Sequence, residues 1–117
     1  MRKVDNNGVS CLRIAAVGDV MLGRGVQSCG IEDLGGILSD GVKVALQADI
    51  ATANLECLIT GQGTPNPNSH SHFKCDERRA ESALKLFDVV SLANNHINDF
   101  GDQAIESTMA SLDRLGV

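Results

Sequence analysis

Side chains able to hold a cation or move a proton stand together at three points of this 117-residue chain, each at the end of an apolar run. Leu12 to Val17 closes on Gly18-Asp19. Asp49 to Leu55 carries Asn54 and runs into Glu56, and Asp88 to Ala93 opens onto Asn94-Asn95-His96. Asp19 supplies a hard oxygen, and Glu56 supplies a second carboxylate able to bridge two cations. Asn54 and Asn95 offer neutral amide oxygens, while His96 offers either a ligand nitrogen or a proton donor. Such a mixture suits Mn²⁺, Fe²⁺ or Zn²⁺ better than a thiolate-type site would. Two such ions about 4 Å apart can hold both the attacking and the leaving oxygen of a phosphoryl transfer. Each residue also has a plainer use. Gly-Asp suits a tight turn and Asn tolerates the left-handed region. Glu56 could be a solvated loop carboxylate and His96 a satisfied structural histidine. Asp99 reads as a residue that shapes its loop or caps the last helix.

The elements that must position these groups are short and aliphatic, as befits buried strands ending in polar turns. Helical patterns lie between them. Ser39 to Ala48 reads as a helix with Asp40 as N-cap and Val42, Ala45 and Leu46 on one face. Asp76 caps a second helix, whose Ala80, Ala83, Leu84 and Phe87 follow the i, i+3, i+4, i+7 spacing. Asp102 opens the last helix, with Ile105, Met109 and Leu112 on its inner stripe. Cys57 to Cys75, broken by Gly61, Gly63, Pro65 and Pro67, reads as a loop that serves as a lid or a surface excursion. Strand–loop–helix units in succession predict an α/β fold with right-handed crossovers and a mainly parallel sheet. Ligands of such sheets bind beyond the carboxyl ends of the strands. The three polar clusters fall at those ends.

Three blocks carry a resemblance. Gly18-Asp19-Val20-Met21-Leu22-Gly23-Arg24 comes first, then Asn54-Leu55-Glu56, then Ser91-Leu92-Ala93-Asn94-Asn95-His96-Ile97-Asn98-Asp99-Phe100-Gly101. In that order they resemble the signature blocks of the CapA-like poly-γ-glutamate and capsule biosynthesis family, over Leu12 to Val117. The Asn-Asn-His block is the most specific of the three. That family looks like a branch of the calcineurin-like metallophosphoesterases. The resemblance therefore implies a metallophosphoesterase-like layered α/β sheet, of which residues 1–117 would form the N-terminal half. It also implies a centre of two divalent metal ions (Mn, Fe or Zn) and an anionic polymer or phosphoester substrate. Carried over residue by residue, Asp19 resembles the first-block metal ligand and Glu56 the bridging carboxylate, with Asn54 beside it. Asn95 resembles the asparagine ligand, and His96 the histidine that protonates the leaving oxygen. Arg24 and Asn94 are candidates for gripping an anionic substrate, since Arg pairs bidentately with phosphate or carboxylate.

Two departures matter. Met21 stands where general metallophosphoesterases carry the His of Asp-x-His, which removes one ligand and matches the CapA-like branch. The family's later Gly-His-x-His block has no counterpart before Val117, and His70 and His72 lie in the central loop, in the wrong order. Residues 1–117 alone are therefore expected to bind metal poorly and to turn over little. As half of a sheet they are expected to self-associate through an exposed edge. Two functions fit the resemblance. One is a metal-dependent hydrolase or phosphoesterase acting in synthesis, release or processing of poly-γ-glutamate or a capsule-type polymer. The other is a non-catalytic scaffold or polymer-binding component of capsule assembly. Relatives are often membrane-anchored at the cell surface by an N-terminal segment.

Composition narrows the field further. A net charge of -5 does not draw the chain to phosphate backbones, and 3% aromatics with no Trp or Tyr leave little to stack bases on, so nucleic acid is not an expected partner. No run approaches the roughly 20 apolar residues of a membrane span. Asp5-Asn6-Asn7-Gly8 after Arg2 and Lys3, with Arg13 in the first apolar run, do not read as a signal peptide. Cys11, Cys29, Cys57 and Cys75 form no C-x-x-C pair, and free thiols are the expectation. His70-x-His72-x-x-Cys75 with Cys57 nearby matches no common zinc module.

Overall fold

The strand Ile50–Leu55 alternates strictly between half-buried and buried residues, with Ala51, Ala53 and Leu55 turned inward. It is the middle of a three-stranded parallel sheet, between Ile14–Val20 and Val89–Ser91. The computed structural model describes Lys3–Val4 and residues 10–117. In chain order its strands are β1 (Lys3–Val4), β2 (Ser10–Cys11), β3 (Ile14–Val20), β4 (Ile50–Leu55), β5 (Leu58–Ile59), β6 (Lys74–Cys75) and β7 (Val89–Ser91). Its helices are α1 (Arg24–Ser28), α2 (Asp40–Ala45), α3 (Glu77–Leu84) and α4 (Asp102–Leu115), with one 3₁₀ turn at Leu34–Ile37. The expected α/β class and parallel sheet are therefore present.

Helices cover one face of that sheet. Ala51 and Ala53 are small, so Leu46 and Phe87 pack directly on the backbone of β4, beside Ala15, Val90 and Val117. Leu55 joins a larger cluster with Leu22, Leu34, Ile59, Phe73, Ala80, Ala83, Leu84 and Leu112. Strand register puts Ile14, Ile50, Thr52 and Val89 on the opposite face. There Ile14 is 60% and Val89 50% exposed. Parallel sheets are usually covered on both faces; among the described residues this one is covered on one.

Local details depart from the sequence reading for identifiable reasons. Ser39, not Asp40, caps α2 by accepting from the Val42 N–H, and Asp40 sits in the first turn, where its charge favours the helix dipole. Of the predicted α2 face only Leu46 is buried. Asp76 caps α3 as expected, and Ala80, Ala83, Leu84 and Phe87 are all buried. In α4 the inner stripe is Ala104, Thr108, Ser111 and Leu112, and Met109 is exposed. Thr108 faces inward because its hydroxyl accepts from the Ile59 N–H at 3.0 Å, which the short β5 leaves unpaired on that side. Ser111 donates to Glu77, which also receives Arg114, so α3 and α4 are tied through one carboxylate. The predicted central loop contains β5 and β6, which pair in parallel, and is irregular between them.

Candidate functional site

A register shift in β3 decides where the first carboxylate goes. Ala16 pairs with Thr52 and Asp19 with Asn54, so three steps along β3 match two along β4. Side chains alternate faces along a strand. A regular ladder would have turned Asp19 into the helix-covered core; the extra residue returns it to the open face. Asn54 is also paired with Ser91 of β7, so Asp19, Asn54 and Ser91 form one row across the carboxyl ends of the three strands.

Asn54 is the hub of this row. Its amide nitrogen donates to Asp19 Oδ1 at 2.8 Å and to Glu56 Oε2 at 2.5 Å. Its oxygen accepts from Asn94 Nδ2 at 3.1 Å. Asn94 is held by backbone: it donates to the Leu55 carbonyl at 2.9 Å and accepts from the His96 N–H at 2.9 Å. The second bond closes a tight turn that swings the His96 ring back over the sheet edge. There His96 Nε2 lies 3.8 Å from Glu56 Oε1.

The other side of His96 meets a residue whose role the sequence understated. Asp99 is 1% exposed and accepts His96 Nδ1–H at 2.9 Å on Oδ2. The same oxygen accepts the Phe73 N–H at 2.8 Å, and Oδ1 faces the Ser69 hydroxyl at 3.0 Å. A buried carboxylate with several donors fixes the tautomer and the orientation of the ring it holds. Nε2 is thereby the nitrogen left facing Glu56. Phe73 flanks the ring with centroids 4.1 Å apart, and the Arg24 guanidinium lies over Phe73, 4.8 Å from its centroid. Arg24 adopts φ 54°, an uncommon left-handed conformation for a side chain of its size. Behind it a Cβ on Gly23 would meet the Lys74 carbonyl at 3.1 Å, and Arg79 grips the carbonyls of Gln27 and Ile31. The close approach of Gly23 to Lys74 sets the start of α1, and the Arg79 bonds hold its end and the turn that follows.

The structure thus brings Asp19, Asn54, Glu56, Asn94 and His96 into one hydrogen-bonded cluster, with Arg24 at its margin. Asn95 is exposed and joins none of the cluster's hydrogen bonds. Phe73 and Ser69 are members that the sequence does not announce; Asp99, expected to shape its loop, does so and also holds the His96 ring. An Asn-x-His-x-x-Asp spacing, which lets a turn fold the Asp under the His, was the available signal. His70 is exposed and His72 bonds the Asn66 carbonyl, so the His-x-His-x-x-Cys segment gathers no site. All four cysteines are free. Burial pushes the Cys57 thiol up, with Glu56 adding to the rise, and pushes Cys75 up to about 12. Neither is a ready thiolate ligand or nucleophile.

Of the expected metal ligands, Asp19, Asn54 and Glu56 stand together and Asn95 stands apart, so the residues present supply part of a two-ion ligand set. Asp19 and Glu56 each reach the same amide nitrogen, so one ion could span them. Among the described residues no group of three or more His, Cys, Asp or Glu converges in ligand geometry. Nor, among them, is any helix long and apolar enough to cross a membrane.

Carboxylate, amide and buried-Asp–His groups at the carboxyl rim of a parallel sheet define an α/β protein with a polar site at the strand ends. Residues 13–117 match the bacterial capsule synthesis protein family PGA_cap, and the chain belongs to that family. No curated protein matches it.

Proposed function

We propose that the protein is a metal-dependent hydrolase of the phosphoesterase type, acting on an anionic capsule polymer such as poly-γ-glutamate or on a phosphoester in its processing. The observation that supports this reading is the convergence of Asp19, Asn54, Glu56, Asn94 and His96 on one rim, with His96 oriented by a buried Asp99. Asp19 and Glu56 would hold a divalent cation, which when bound supplies charge stabilisation at the attacked group. The resemblance to the metallophosphoesterases implies a second ion, for which Asn95 would be the added ligand. Arg24, planar and carried on Phe73, would grip a substrate carboxylate or phosphate. His96, its Nδ1–H spent on Asp99, would present Nε2 to the leaving oxygen and donate a proton there. Asp99 would stabilise the imidazolium before that transfer.

The test is hydrolysis of a generic phosphodiester and of poly-γ-glutamate by the Mn²⁺-loaded protein. Replacing a general acid costs about 10²–10⁴-fold in rate. His96→Ala should lose that much turnover while retaining bound Mn²⁺, whereas Asp19→Asn should lose both. Equal turnover in His96→Ala removes the assigned role. A second reading, a non-catalytic scaffold or polymer-binding component of capsule assembly, is favoured by the Asn54 amide, which already bridges the two carboxylates. Stoichiometric metal with turnover excludes it; binding of poly-γ-glutamate without either supports it.

A further inference from the structure

The polarity of the cluster runs in one direction and is anchored in the backbone. The Leu55 carbonyl can only accept and the His96 N–H can only donate, so Asn94 cannot reverse its amide where it stands. Its NH₂ group therefore points at Asn54, which must answer with its oxygen. Asn54 is then obliged to turn its own NH₂ toward Asp19 and Glu56, and both carboxylates accept from it. Two carboxylates that would repel one another are held together by the two N–H bonds of one neutral amide. That nitrogen takes up one oxygen of each carboxylate.

This arrangement sets a condition on metal binding. An ion held by the two oxygens that Asn54 now serves, Asp19 Oδ1 and Glu56 Oε2, would meet the positive ends of both N–H bonds. Turning the Asn54 side chain over puts its carbonyl oxygen toward the ion, a third hard ligand beside the two carboxylates. The same turn places the Asn54 NH₂ against the Asn94 NH₂, donor facing donor. Asn94 cannot follow by turning in place, so it must swing away from Asn54.

We infer that Asn54 is a two-position amide: a donor that bridges Asp19 and Glu56 when no cation is bound, and a cation ligand when one is, its turnover displacing the Asn94 amide. The inference rests on the proposed cation site and goes beyond it. Cation binding becomes coupled to the Asn94–His96 turn, because Asn94 Oδ1 holds the His96 N–H. The displaced Asn94 amide becomes free to donate to an anionic group of the substrate. A further consequence is counterintuitive. Asn94 is not a ligand, yet it opposes binding, since it stabilises the donor position of Asn54.

The experiment uses the full chain with Cys11→Ser and Cys29→Ser, so that exposed thiols do not compete, and Zn²⁺ as a diamagnetic probe. Calorimetry measures affinity, and ¹H–¹⁵N spectra follow the side-chain amides. Both the Asn54 and the Asn94 NH₂ resonances should shift with the same midpoint, equal to the calorimetric one. In the same background, Asn94→Ala should bind Zn²⁺ more tightly by about two- to tenfold, the equilibrium equivalent of one neutral hydrogen bond. Should that variant unfold, the wild-type amide titration still decides. Zn²⁺ binding that leaves the Asn54 and Asn94 amides unmoved, or that is weakened in a folded Asn94→Ala, overturns the two-position amide and leaves the cation site standing. A calorimetric trace without binding overturns both.

Discussion

Replacing Asp99 by alanine and by asparagine separates what its shape does from what its charge does. Asp99 is almost wholly buried and faces three donors: the Phe73 N–H, the Ser69 hydroxyl and His96 Nδ1–H. Ser69 has only one proton, and the Ser71 carbonyl competes for it at 2.7 Å. In Asp99→Ala the buried Phe73 N–H loses its acceptor, which costs about 1–3 kcal/mol. The His96 ring loses a charge-assisted bond, and the vacated volume adds to the loss. The sum is about 3–4 kcal/mol, a large part of the 5–15 kcal/mol that holds a domain of this size. In Asp99→Asn the oxygen can stay on the Phe73 and His96 side, while the new NH₂ faces Ser69 Oγ. Ser69 then gives its proton to Ser71 and accepts from the amide, so every partner remains served. The loss should be about 1 kcal/mol, the difference between a charged and a neutral acceptor. Urea unfolding followed by circular dichroism, with heat-unfolding midpoints as a check, measures both. Alanine should lower the midpoint by about 10–20 °C and asparagine by a third of that or less. Equal losses in the two variants would show that the charge, and not the acceptor geometry, organises the loop. An unchanged Asp99→Ala would remove Asp99 from that role altogether.

Three further outcomes are expected. Hydrogen bonds from Arg114, and then from Ser111, hold the Glu77 carboxyl below its ordinary value of 4.5. A carboxylate lowered in the folded state stabilises above the unfolded value and loses that contribution as pH falls through the folded one. Glu77→Gln should therefore narrow its stability deficit in acid, and urea midpoints across that range that stay parallel to wild type would contradict the α3–α4 tether. Cys57 and Cys75 are buried with raised thiols, while Cys11 and Cys29 are exposed. A chromogenic disulfide reagent at mildly alkaline pH should titrate two thiols quickly in the folded protein and four in denaturant; a third fast thiol would show that the β5–β6 pair opens. Ile14 and Val89 expose apolar surface on the open sheet face, and Val17, Ile37 and Val42 line an apolar groove on the other side of β3. Self-association that rises with concentration and falls in Ile14→Lys is expected by light scattering, and a monomer at all concentrations would count against it.

Much of this arrangement could be read along the chain, and the remainder depended on pairings distant in sequence. The three aliphatic runs with polar ends were sufficient for a parallel sheet and for a shared rim, because short apolar runs alternating with helical periods leave few topologies open. Asp76 and the spacing after it located α3 for the same local reason. In contrast, β5 and β6 are two residues each and exist only through their mutual pairing. The fragment α1 is five residues long with Gly25 inside it and Gly23 before it, and is held in place by Arg79, some 50 residues away. Asp99 looked like a loop or cap residue, since its partners Phe73 and Ser69 lie 26 and 30 positions earlier. The Met109 assignment erred by one position on the helix, where Thr108 was drawn inward by the unpaired Ile59 N–H. Periodicity counts apolar side chains and cannot register a hydroxyl recruited by a distant backbone group.

The register shift in β3 carries the deepest connection between local chain and site. The apolar run Leu12 to Val17 predicts a strand that closes on Gly18-Asp19, with the Asp in a turn. The strand instead continues through Val20, and Asp19 is a paired strand residue opposite Asn54. Turn residues are free to point in many directions; a paired strand residue has two choices, set by parity. Gly18 has open space where a Cβ would lie, and it sits within the shift, where a residue without a side chain imposes the least on either face. One extra residue therefore does two things at once. It keeps Val20 in register with Leu55 on the helix-packed side, so the core is undisturbed, and it delivers Asp19 to the side where Asn54 waits. A carboxylate positioned by backbone pairing keeps its distance to its neighbour without relying on loop order. That rigidity is what the amide bridge between Asp19 and Glu56 requires, since both hydrogen bonds of a single nitrogen must be met together.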